Sequence, residues 1–148
     1  MKIILAAVDF SHATDVVAAT AADLTKALGG TLHLLHVEAP DPEFVGYEPG
    51  PQHVRDQVAK SIARNRHEIV ELRDRLQGQG IDVHCLVIQG PTIDKIIEEA
   101  QRLGADVIVA GSHGHGAMHH LVLGSVSEGL IRKAPCPVLV VPQAHEAG

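Results

Sequence analysis

The sequence predicts an α/β protein built on a single doubly wound, five-stranded parallel sheet with helices on both faces. Three observations predict it. Five short runs rich in Val, Ile and Leu recur along the 148 residues, and continuous apolar runs of that length mark strands buried on both faces. Segments with helical spacing separate the runs. Gly and Pro sit at the junctions, where helices stop and strands begin.

The first run is Ile3 to Val8. It is too short for the apolar stretch of a signal peptide and meets Asp9 directly, so it reads as a buried strand. Val17, Ala21, Leu24 and Leu28 then repeat at helix spacing, and Gly29-Gly30 stops that helix. Thr31 to Val37 is the second strand. Val54, Val58, Ile62, Ile69, Leu72 and Leu76 form a long helical stripe, ended by Gly78 and Gly80. Val83 to Ile88 is the third strand. Pro91 suits the first turn of the next helix, which carries Ile93, Ile96, Ile97, Ala100 and Leu103 before Gly104. Asp106 to Ala110 and Pro137 to Val141 are the fourth and fifth strands, with a helix from about Ser125 to Lys133 between them. Alternation of this kind argues a doubly wound sheet. Right-handed crossovers limit its topology, and the order expected is 3-2-1-4-5, Rossmann-like. Residues 38–52 hold four Pro and two Gly without a period and read as a loop. Residues 143–148 are a polar tail. No internal repeat or boundary divides the chain, so 1–148 is expected to be one domain.

Composition narrows the function. Formal net charge is −6, aromatic residues are 2% and Trp is absent. A nucleic-acid reader usually offers a basic stripe or stacking aromatics, so nucleic acid is not an expected partner. No run reaches the roughly 18 apolar residues that span a bilayer, and no membrane partner is expected. Two Cys, Cys85 and Cys136, make no disulfide framework; the expected compartment is the cytoplasm. Eleven His allow the charge balance to move as pH falls.

In doubly wound sheets a ligand sits beyond the carboxyl ends of the strands, where strand order reverses. The residues there are Asp9-Phe10-Ser11, Glu38 onward, and Gly111 onward. The last is the most informative: Gly111-Ser112-His113-Gly114-His115-Gly116, with Gly124-Ser125-Val126-Ser127 at the next helix start. Glycines let backbone N–H groups approach an anion, and a helix start adds unpaired N–H groups and a positive dipole end. Ser125 and Glu128 have the spacing of a capping box. The hydroxyls of Ser125 and Ser127 are placed either to cap or to donate to phosphate. Two other phosphate loops fail: Gly116 is followed by Ala117-Met118 rather than Lys-Ser/Thr, and Gly114-x-Gly116 lacks its third glycine, with His119 in its place.

The spacing that does fit is G-x2-G-x9-G-[S/T], on Gly111, Gly114, Gly124 and Ser125. It resembles the nucleotide loop of ATP-binding universal stress proteins. The resemblance extends over nearly the whole chain, through Ile3 to Ser11, Leu32 to Val37, Leu123 to Glu128 and Ala134 to Val141. It implies that Asp9 meets ribose hydroxyls or the metal-bound phosphates, and that Ala7, Val8 and Val37 form the adenine slot, partly through backbone groups. It implies that Gly111, Ser112, His113 and Gly114 wrap ribose and phosphates, and that Gly124, Ser125, Val126 and Ser127 hold the phosphates. Mg²⁺ would come with ATP, with Asp9 or Ser125 nearest to it. His115 stands where the family often has Lys or Arg, so phosphate attraction is expected to strengthen as pH falls. The family also implies a homodimer through the last strand, Val138 to Val141, an apolar edge.

The function expected is a stress-response or regulatory switch, read by a protein partner that the sequence does not name. No Arg lies in the glycine loop and no Gln is placed to hold water, so at most slow hydrolysis is expected, with no catalytic residue. The alternatives are an ATP-dependent enzyme with slow hydrolysis or adenylating activity, and a ligand-free dimeric interaction protein. His113, His115, His119 and His120 are close in sequence, but a zinc site needs convergent ligands, and none is expected. His33 and His36, three apart on a strand, face opposite sides; at least one reads as packed. Cys85 reads as core. Cys136 has only Lys133 near it to lower its pKa.

Overall fold

The computed structural model describes residues 2–38, 52–112 and 123–142. The elements run β1 Ile3–Ala7, α1 Thr14–Leu28, β2 Thr31–Glu38, α2 Gln52–Gln77, β3 Val83–Gln89, α3 Thr92–Leu103, β4 Val107–Gly111, α4 Ser125–Lys133 and β5 Val138–Val141. All pairs are parallel and the sheet order is β3-β2-β1-β4-β5, as the sequence predicts. The reversal of strand order falls between β1 and β4.

Each face of the sheet has its own core. Ile4, Ala6, Val8, Leu32 and Leu34 point towards α1 and α2, where they meet Val17, Ala21, Ile69, Leu72 and Leu76. Leu5, Leu35, Val37 and Ile108 point the other way, against Ile96 and Ala100 of α3 and Leu130 of α4. The two sets alternate along each strand because successive side chains leave opposite faces.

Local signals behave largely as read. Helix α1 ends on Gly29, whose φ of 64° is left-handed and whose N–H bonds back into the last turn; this conformation suits glycine. Three expectations need correction. Leu28 keeps the period of the α1 stripe but is 45% exposed, because it is the last residue of the helix, beside the Gly29 C-cap, while the buried face ends at Thr25. β3 is not buried on both faces: His84 and Leu86 are exposed. The reason is its edge position, since α3 packs over β2 and β1. Pro91 is the N-cap of α3, one residue outside the helix. The side chains of Val54 and Val58, the loop at 39–51 and the tail at 143–148 lie outside what the structure describes.

On the exposed face of β3, His84 pairs in register with His33 of β2, and the two rings stack at 5.1 Å. Burial first, then the neighbouring His84 and the Arg102 guanidinium, push the His33 imidazole below its ordinary 6.5. The folded state therefore favours the neutral ring, and the unfolded chain binds the extra proton as pH falls. Stability from this ring is complete above about pH 6.5 and is lost as pH drops through the lower folded value. Urea unfolding between about pH 7.5 and 5 should show a shallower acid slope for His33→Gln than for the parent. Equal slopes would mean that other groups carry the acid response.

Candidate functional site

The site is assembled from the carboxyl ends of β1 and β4 and the start of α4. β1 and β4 lie side by side, with Ala6 opposite Val109, so both strands deliver their following residues to one edge. After β1, the Asp9 carboxylate accepts a hydrogen bond from the Ser11 N–H at 2.9 Å, and the Ser11 hydroxyl accepts from Ala13 N–H at 3.3 Å. Short side chains that bond back to the backbone in this way build a tight turn. Between them Phe10 has φ 59°, an uncommon conformation for a bulky residue. Asp9 is thus presented at the edge by a turn fixed on both sides of it.

Beyond β4, Ser112 is buried and pinned. Its N–H donates to Val141 O at 2.8 Å, and its carbonyl accepts from Gly124 N–H at 2.7 Å. Ser127 is buried too, and its hydroxyl donates to the Gly111 carbonyl. These bonds dock the first turn of α4 directly against the end of β4. Gly124 is the N-cap of α4, extended at φ −65° and ψ 157°, and no side chain among the described residues caps the helix. The capping box expected from Ser125 and Glu128 is therefore not formed. The helix starts one residue earlier than that pattern requires, and Glu128 instead accepts from Arg132 at 2.9 Å on the outer face. With no side-chain cap among the described residues, the first-turn N–H groups and the dipole's positive end make this a place that favours an anion.

Of the sequence-predicted residues, the structure brings Asp9, Gly111, Ser112, Gly124, Ser125, Val126 and Ser127 to this edge. His113, Gly114 and His115 lie outside the described residues. Ala7 and Val37 lie on the α3/α4 face, whereas Val8 lies in the opposite core, only 4% exposed. The Val8 backbone is also engaged: its N–H donates to Leu35 O at 2.9 Å and its carbonyl accepts from His36 Nδ1 at 2.7 Å. Ser127 serves as a clasp between α4 and β4, with its hydroxyl already donated.

Sequence reasoning missed a polar cluster beside this edge. His36 is buried, and its Nε2 lies 3.0 Å from Glu38 Oε2. Glu38 also accepts from Ser61 Oγ at 3.2 Å and from Asn65 Nδ2, both on α2. The alternation of β2 puts His36 and Glu38 on one face, but no local pattern ties them to Asn65, 27 residues beyond Glu38 on α2.

Elsewhere, an open cleft of about 440 Å³ lies between the start of α1 and α2, lined by Phe10, Thr14, Glu68, Glu71 and Arg75 among others. It takes in Phe10 and Ser11 of the turn after β1 but none of the residues expected to contact ATP. No three metal-ligating side chains converge among the described residues. Cys136 is half-buried in the α3/α4 core, and burial, then Asp106, push its thiol up rather than down; that is the wrong direction for a nucleophile at neutral pH. No helix of the described residues is long and apolar enough to cross a membrane.

Comparison with known proteins agrees over the whole length. The model of the universal stress protein family matches residues 1–142. A Thermus aquaticus protein, the universal stress protein in the QAH/OAS sulfhydrylase 3′ region, is 33% identical over 140 residues, covering 95% of this chain and 98% of its own. The solved structure of MJ0577, a universal stress protein of Methanocaldococcus jannaschii, superposes with a TM-score of 0.81 at 25% identity, covering 98% of both chains. A universal stress protein solved in complex with cAMP superposes with a TM-score of 0.71 at 20% identity, covering 97% of this chain and 98% of its own.

Proposed function

The chain belongs to the universal stress protein family, and from that premise we propose that it binds ATP with Mg²⁺ at the carboxyl edge between β1 and β4 and works as a regulatory module. One observation carries the reading. An uncapped helix start is docked by Ser127 and Ser112 against a glycine-bearing strand end, with the Asp9 turn beside it. That donor set fits phosphate: backbone N–H groups at Ser125, Val126 and Ser127 are neutral, directional and already oriented, so they cost little reorganisation on binding. Asp9 fits a hydroxyl-bearing sugar or a hydrated Mg²⁺, since a carboxylate accepts from either. Ala7 and Val37, on one face, are the adenine-side residues in this reading. Gly111, Ser112, His113, Gly114 and His115 continue the phosphate loop. The relative solved with cAMP supports an adenine nucleotide as the ligand class.

We place the protein in the cytoplasm and read it as a homodimer through β5. Leu139 on that edge strand and Ile131 on α4 are 39% and 51% exposed, and an uncovered apolar edge invites pairing. We read the nucleotide as a signal to a protein partner rather than as a substrate turned over rapidly.

Thermal unfolding of nucleotide-stripped protein tests this. ATP–Mg²⁺ at about 100 times its Kd adds roughly 2.7 kcal/mol, which should raise Tm by about 5–10 °C, with GTP giving much less. No shift at millimolar ATP would overturn the assignment.

A further inference from the structure

His36 joins three elements that sequence keeps apart. Its Nδ1 is 2.7 Å from the Val8 carbonyl oxygen. A carbonyl only accepts, so Nδ1 carries hydrogen and donates. That fixes one ring nitrogen whatever the other does. Nε2 faces Glu38 Oε2 at 3.0 Å and Asn65 Nδ2 at 3.2 Å. Glu38 is in turn held by Ser61 and Asn65 of α2. The Phe10 ring leans on the imidazole at 4.8 Å.

Val8 directly precedes Asp9. Both of its backbone polar groups are held by β2, one by Leu35 and one by His36. Phe10, directly after Asp9, has a left-handed φ and rests on the same imidazole. The direction in which Asp9 leaves the sheet is therefore set from β2, and through Glu38 from α2. Removing the imidazole would leave a buried carbonyl without its donor and Phe10 without its support, both at the turn that carries Asp9.

We propose that His36 is a positioning residue of the nucleotide site, and that the Glu38–Asn65 arm couples the site to α2. The proposal rests on the nucleotide reading above. Coupling of this kind is reciprocal: if loosening α2 weakens the nucleotide, the nucleotide must tighten α2 by the same factor. A change of order in α2 is then a bound-state signal that a partner can read.

The test is calorimetric titration of ATP–Mg²⁺ into the full chain and its His36→Leu, His36→Asn and Asn65→Ala variants, with amide exchange followed along α2. His36→Leu should weaken binding about tenfold or more, by leaving the Val8 carbonyl unpaired. His36→Asn, which offers an amide N–H near the place of Nδ1–H, should recover affinity to within about threefold of the parent. ATP should slow exchange of the amides around Ser61 and Asn65 in the parent but not in Asn65→Ala, and that variant should bind more weakly. If His36→Leu does not fold, Asn65→Ala carries the test, because it leaves the Val8 bond in place. A parent that binds ATP, with variants that bind it equally and only melt earlier, overturns the proposal and leaves a structural network. A parent that binds no ATP overturns the nucleotide reading itself, and the proposal with it.

Discussion

Gly30→Ala should lower Tm by about 10 °C or more, from a loss of roughly 3 kcal/mol or more. The reason is contact with backbone. A Cβ built on Gly30 would stand 2.2 Å from the Lys2 carbonyl oxygen and 3.2 Å from Ile4 Cδ1. The same carbonyl accepts from Thr31 N–H at 2.9 Å, in the first rung of the β1–β2 pairing. It cannot move away without breaking the ladder that holds the two strands in register. Gly29 next door is a control. Its φ is 64° and open space surrounds its missing Cβ, so Gly29→Ala should cost only about 1–2 kcal/mol of left-handed backbone energy. Paired melts of the two variants separate steric from conformational cost. Equal shifts would show that the Lys2 carbonyl can yield.

Ser125→Pro should weaken ATP binding at least about tenfold while leaving the nucleotide-free Tm within about 2 °C of the parent. Ser125 is the first residue of α4, and its N–H has no intrahelical acceptor to lose. Proline fits that position, with φ already helical. The residue before it must be extended, and Gly124 already is, at ψ 157°. The substitution thus removes one N–H and one hydroxyl from the proposed phosphate cradle and little else. Titration with ATP–Mg²⁺ beside a nucleotide-free melt reads both effects. Unchanged affinity with an unchanged melt would move the phosphates away from the α4 start.

The strands and the start of α4 were legible because their signals are local. Five Val/Ile/Leu runs, helical periods between them and the Gly29 stop each need only a few neighbouring residues. Right-handed crossovers then leave few topologies. The glycine spacing marked the strand-to-helix edge at Gly111 and Gly124, and the parity of β2 placed His33 and His36 on opposite faces. Where the reading failed, the deciding fact was distant. Leu28 belongs to a helical stripe by period but stands at the very end of α1, beside the Gly29 cap, and stays exposed. The Ser125–Glu128 pair has capping spacing, yet the docking of Gly124 and Ser127 on β4 sets the helix start one residue earlier.

The sequence by itself determined the elements, their parallel winding and the family, because periodicity, turn residues and motif spacing are written in consecutive positions. The tertiary structure alone decided that Ser127 holds β4 with its hydroxyl, and that His36 reaches Val8 on one side and α2 on the other. Hydrogen bonds between groups tens of residues apart exist only once the sheet has brought the strands together, and no local pattern encodes which partner each buried polar group will meet.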